Sequence, residues 1–86
     1  MTLPRITLDP ETEYAYIYLT EPHPGIASKT VLLDPADDEP DAMRSLALDF
    51  DRDGRLVGIE VFGPASRTLR PDGLAAAVPL ARRSAE

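Results

Sequence analysis

The sequence predicts an α+β fold: a small antiparallel β-sheet of about four strands arranged in hairpins, with a C-terminal helix. Three observations predict it. Residues 45–62 alternate apolar and polar side chains on both sides of Asp51-Arg52-Asp53-Gly54, the pattern of two strands around a turn. Residues 14–19 read Tyr-Ala-Tyr-Ile-Tyr-Leu, a composition suited to a pleated surface. Near the C-terminal end, Pro71-Asp72 precedes a short apolar run, with proline at a first helical position and an acid at the positive end of the helix dipole.

Taken in order, Arg5-Ile6-Thr7-Leu8 forms a first strand that turns at Asp9-Pro10-Glu11-Thr12, where Asp then Pro fits a type I turn. The second strand, 14–19, returns antiparallel to it and closes at Pro22-His23-Pro24-Gly25. Alternation places Ala15, Ile17 and Leu19 on one face and Tyr14, Tyr16 and Tyr18 on the other. Neither face is strongly polar, so this strand is expected inside a sheet covered on both sides, by a helix and by another sheet or a partner subunit. Packing, rather than stacking on a ligand, is the role read for the tyrosines.

A third strand spans 26–33, with Lys29 at an edge or end. The acidic stretch 34–41 has too little apolar surface to order itself, and Pro35 and Pro40 keep it out of a ladder, so a mobile surface loop is expected. In the central hairpin, pairing Leu48 with Val57 and Leu46 with Ile59 places Leu46, Leu48, Phe50, Val57, Ile59 and Val61 on one face. Gly63-Pro64 ends the last strand, and a helical turn is expected over Ala65-Ser66-Arg67-Thr68. A helix follows over 71–78, with Leu74, Ala77, Val78 and Ala81 on one face; Gly73 weakens it, Pro79 ends it, and 82–86 is a frayed tail.

Eighty-six residues correspond to a single domain, 1–86, with a globular part over about 5–78. At this length folding buries only roughly 60 to 65% of the surface of the unfolded chain, so the core is thin. Small domains reinforce such cores with disulfides, metals or partner chains, and the absence of cysteine removes the first option together with thiolate metal sites and thiol catalysis. The first residues show no basic segment followed by an apolar run, and no stretch approaches a membrane span, so a cytoplasmic protein with no membrane partner is expected. The net charge of −6 disfavours nucleic acid, whose binding rests on Lys and Arg. Charge is uneven: 34–53 holds eight acids against Arg44 and Arg52, which suits a solvated loop or a basic partner protein.

Asp49, Asp51, Asp53, Gly54 and Glu60 match the spacing of an EF-hand calcium loop. The flanks do not match. An EF-hand needs helices on both sides, whereas Leu46, Leu48 and Phe50 alternate at period two and Pro64 follows Glu60 closely. In a hairpin, Glu60 lies roughly 15 to 20 Å from the turn, at about 3.4 Å per residue, too far to close a cage with Asp51 and Asp53. No metal or other cofactor is expected. Asp49 and Glu60 are a nominal carboxylate pair for acid–base work, but with fifteen acids in the chain chance pairing is common. His23 is the single histidine, set between prolines, and Ser28, Ser45, Ser66 and Ser84 lack a nucleophile-elbow context. The expectation is a chain without catalytic, cofactor or metal residues.

Asp9-Pro10-Glu11-Thr12-Glu13-Tyr14-Ala15-Tyr16-Ile17-Tyr18-Leu19 and the stretch from Asp49 through Gly54 and Gly58-Ile59-Glu60 resemble the small prokaryotic domain-of-unknown-function family 2283. Its members show Asp-Pro-x-x-Asp-x-Leu-Tyr-Ile-x-Leu and, later, Asp-x-Asp-x-x-Gly-x-x-x-Gly-Ile-Glu. Glu13 and Ala15 depart from this pattern, and 34–41 has the look of an insertion. The resemblance implies a compact antiparallel sheet plus a helix, and no catalytic residues; its members' association with small toxin-like proteins implies at most an antitoxin-like or binding role. The expected function is therefore a non-catalytic interaction module forming a homodimer. An antitoxin-like companion of a basic protein ranks second, and a divalent-metal protein using Asp49, Asp51 and Asp53 ranks third.

Overall fold

Two local hairpins supply the centre of the sheet. In a computed structural model of the chain, which describes residues 2–79, strand β1 (Arg5–Leu8) pairs antiparallel with β2 (Ala15–Tyr18), and β4 (Leu46–Phe50) pairs antiparallel with β5 (Leu56–Val61). The first turn is closed by main-chain bonds from Asp9 N–H to Tyr14 C=O at 2.8 Å and from Glu13 N–H to Asp9 C=O at 2.7 Å, with Glu13 in the left-handed region at φ 59°. The two hairpins join through β2 and β5, antiparallel, with Ile17 opposite Ile59.

Two further strands complete a six-stranded sheet in the order β3-β4-β5-β2-β1-β6. Strand β3 (Lys29–Leu32) lies antiparallel against β4 at one edge. Strand β6 (Val78–Pro79) lies parallel to β1 at the other. The sheet is therefore mixed and larger than the four antiparallel strands expected from the sequence. The expected helix over 71–78 shrinks to α1 (Pro71–Ala75). Proline disfavours helical backbone at the residue before it, so Pro79 pushes Val78 into an extended conformation, and this end of the expected helix becomes β6. Ala81 and the tail 82–86 lie outside the described residues.

The central hairpin keeps its expected turn but not its expected register. Asp51 C=O accepts from Gly54 N–H at 3.0 Å, its Oδ1 accepts from Asp53 and Arg55 N–H at 2.9 and 3.0 Å, and Gly54 sits at φ +81°, where a side chain would be strained. A bulge between Asp49 and Phe50 then shifts the pairing, so that Leu48 faces Ile59 and Leu46 faces Val61. A shift of two residues preserves the face, which is why Leu46, Leu48, Ile59 and Val61 still lie together; Val57, the extra residue on β5, leaves the expected set and lines a hollow with Tyr16 and Tyr18.

The core sits on that face. Ala15, Val61 and Ala65 are buried together, with Ile6, Leu8, Ile17, Leu46, Leu69 and Leu74 packed around them. The covering layer is slight: a 3₁₀ turn (Ala65–Arg67) where the helical turn was expected, and α1. Val61 is the only large side chain among the fully buried ones described. The acidic stretch 34–41, expected as an unordered loop, contains a buried Pro35, a bond from Ala36 N–H to Glu39 Oε1 at 2.7 Å and the start of a second 3₁₀ turn (Asp41–Ser45).

Candidate functional site

The opposite face of the sheet carries every second residue of the same strands. Cross-strand pairing sets Thr7, Tyr16, Glu60 and Ala47 in one row and Arg5, Tyr18, Gly58 and Asp49 in the next. Asp49, placed in the sequence as a possible calcium ligand or half of a carboxylate pair, is only 5% exposed. Its carboxylate accepts two hydroxyl bonds, from Tyr16 Oη at 2.7 Å and from Thr30 Oγ1 at 2.5 Å. A carboxylate removed from water is costly unless its oxygens are hydrogen-bonded, and each Asp49 oxygen has one donor.

Gly58 makes this arrangement possible. Tyr16 stands opposite Glu60 yet reaches Asp49, which stands opposite Gly58 on the far strand, so the Tyr16 ring must lie diagonally across β5. A Cβ built on Gly58 would collide with the Tyr16 ring and hydroxyl. The absent side chain is the bed in which the ring lies. Tyr18 packs beside Tyr16 with ring centroids 4.6 Å apart.

Burial first, and then the hydrogen bond to Asp49, hold the Tyr16 phenol above the usual tyrosine range. Glu60 is also raised, by burial and then by the charge of Asp49. Thus Asp49 and Glu60, a nominal carboxylate pair in the sequence, are electrostatic neighbours. Glu60 borders an open hollow of about 410 Å³ lined by Thr7, Tyr14, Tyr16 and Tyr18. A larger hollow of about 570 Å³ lies at the β1–β6 side, where Arg5 is the one charged residue among the described lining residues.

The remaining sequence candidates stay apart from this cluster. Asp51 is occupied with its own turn, and Asp53 is exposed in it. His23 is exposed, its Nδ1 3.3 Å from Pro24 C=O, and Ser66 donates to Glu13 at 3.0 Å. Ser84 lies outside the described residues. Among the described residues no three His, Cys, Asp or Glu side chains are grouped as a metal site, and no helix is long and apolar enough to cross a membrane.

Sequence reading missed Thr30, the Tyr16–Asp49 bond and the purpose of Gly58. A signal was present: alternation sets Asp49, Glu60 and Gly58 opposite Leu48 and Ile59, and Tyr16 opposite Ile17. What was absent was the neighbour relation between β2 and β5. Chemically the cluster is a closed hydroxyl–carboxylate network with one further carboxyl at its rim. Its rim beside the open hollow is polar and aromatic, formed by Tyr18 and Glu60.

The family described as Protein of unknown function (DUF2283) matches this chain over residues 5–63, more than half its length. The matched span contains Tyr16, Thr30, Asp49, Gly58 and Glu60. No curated protein and no solved structure matches the chain.

Proposed function

We propose, from the premise that the chain belongs to the DUF2283 family of proteins of unknown function, that it is a non-catalytic protein-interaction domain working in the cytoplasm as a homodimer. The observation that carries this reading is the unequal cover of the two faces. The helical elements that join the core cluster all pack on the Ile6 and Ile17 face, whereas the tyrosine face closes over Thr7, Ala47, Asp49 and Val57 but stays open beside Tyr18 and Glu60. A small core with a single large fully buried side chain gains from a partner chain what it lacks internally. Light scattering at micromolar concentration tests the assembly: twice the chain mass of 9.4 kDa is expected, and a monomeric mass overturns the homodimer.

The acidic stretch favours a second reading, an antitoxin-like companion of a basic protein. Arg44 pairs with Asp41 at 2.9 Å and approaches Asp34 at 3.9 Å, while Asp37 and Asp38 are exposed and take part in none of the described ion pairs. Such charges steer a cationic partner at low ionic strength. A basic protein that co-purifies at low salt with the natural chain and not with the Asp37→Lys/Asp38→Lys variant supports this reading; equal recovery by both counts against it.

A further inference from the structure

We infer that two copies of this chain join through their β3 strands, continuing the sheet across a two-fold axis at Val31. This rests on the homodimer reading for the assembly state and goes beyond it by placing the seam at the β3 edge, which leaves the tyrosine face free for the interaction role.

The two edges of the sheet are unlike. Among the described residues strand β6 comprises only Val78 and Pro79, and Pro79 has no N–H to offer, so the described part of that edge is blunt. Strand β3 is exposed at all four residues, and it carries Val31 and Leu32, which is 68% exposed. No proline or acid interrupts it.

The ladder shows which main-chain groups are free. Leu33 N–H bonds to Leu46 C=O in the register that sets Val31 opposite Leu48. Because bonding direction alternates along a strand, Lys29, Val31 and Leu33 turn their main-chain groups toward β4, and Thr30 and Leu32 turn theirs outward. The other side of β4 agrees: Phe62 N–H bonds to Ser45 C=O, which commits Ala47 and Asp49 to β5 and leaves Leu46 and Leu48 for β3.

Only outward residues can bond to a second copy. With the axis at Val31, Thr30 exchanges bonds with the partner's Leu32 and Leu32 with the partner's Thr30, about four in all. Val31 then meets the partner's Val31 directly. Both free residues are used, and the two Lys29 ammonium groups are carried to opposite ends of the seam. The edge is thus self-complementary in a way that a shift of the axis to Thr30 or Leu32 is not, since either shift pairs one outward residue with itself and the other with a residue outside β3.

The absence of cysteine gives a clean test. In the proposed register the two Val31 form a non-hydrogen-bonded pair with Cα atoms about 4.5 Å apart, within the disulfide range. Val31→Cys is expected to form a covalent dimer on mild oxidation. Lys29→Cys lies on the same strand and face, but its counterpart is about 13 Å away at roughly 3.4 Å per residue, and it is expected to stay monomeric in the denaturing gel. Leu32→Pro deletes one outward donor without touching a bond to β4 and is expected to give a monomeric mass with unchanged circular dichroism. A dimeric natural chain whose Val31→Cys variant fails to cross-link, or whose Lys29→Cys variant cross-links equally, overturns the β3 seam and leaves the homodimer standing. A dimeric mass for a folded Leu32→Pro does the same, and if that variant does not fold the two cysteine variants decide. A monomeric natural chain overturns both.

Discussion

On one face of the sheet Val61 packs with Ala15 and Ala65; one residue earlier on the same strand, Glu60 turns to the other face beside Tyr16 and Asp49. The first face is held by close apolar contact, the second by two hydroxyl donors that converge on a buried carboxylate. The difference teaches how a domain of this size stays folded with a slight covering layer: contact supplies one side, and a satisfied polar network lets the other remain partly open.

That comparison is tested hardest at Val61. Val61→Ala leaves a cavity where the contact face has no slack and is expected to cost about 3 kcal/mol in chemical denaturation; a cost below about 1 kcal/mol would show that this face does not carry the fold. Gly58→Ala tests the polar face. Its methyl displaces the Tyr16 ring, which leaves Asp49 with Thr30 as its remaining described donor, at an expected cost of about 2 kcal/mol. Phenolate absorbance is expected to show Tyr16 ionising closer to the usual tyrosine range in that variant. Tyr16→Phe removes the same bond without the collision and is expected to cost about 1 kcal/mol. Added to Gly58→Ala it is expected to add little, because the bond is already lost; full additivity would mean that the ring and the glycine act separately.

The smallest effect has the opposite sign. Glu60 is held above the usual carboxyl range by burial and then by Asp49. A raised carboxyl pKa means that the folded chain keeps the proton more readily than the unfolded chain. Stability therefore falls as pH rises from the ordinary glutamate range through the raised value, and the loss persists above it. Glu60→Gln is expected to be about 0.5 kcal/mol more stable than the natural chain near neutral pH and equal to it in acid below the ordinary glutamate range. Denaturation curves that keep the same difference at both pH values would contradict this.

The contact face was legible in the sequence because it is written locally. The alternation of Leu46, Leu48, Ile59 and Val61, and of Ala15 and Ile17, is enough to place them together. The bulge between Asp49 and Phe50 was not legible: it moves the pairing by one residue, from Phe50 opposite Leu56 to Asp49 opposite Gly58, and alternation alone reads straight through Val57. Strand β6 was hidden because an apolar run beginning with Pro71 reads as helix until Pro79 is weighed against it. The polar network was the least visible part: Tyr16, Thr30 and Asp49 meet only once β2, β3 and β4 are arranged around β5. Asp49 and Glu60 stand out in the sequence as carboxylates, but their environment, which decides what a carboxylate does, belongs to the tertiary structure.

The seam between β2 and β5 also has a kinetic consequence. The hairpins β1–β2 and β4–β5 each close a short stretch of chain, whereas the register that sets Ala15 opposite Val61 must draw together segments from opposite ends of the domain. Chain entropy is lost there before contact repays it, so docking of the hairpins is expected to limit the folding rate. Ile17→Val in this seam is expected to slow refolding, and Val31→Ala on β3 to act mainly on unfolding. Stopped-flow chevrons in which both variants shift the same limb would refute that order. If the order holds, β3 joins the sheet only after the two hairpins have docked and leaves it before they part.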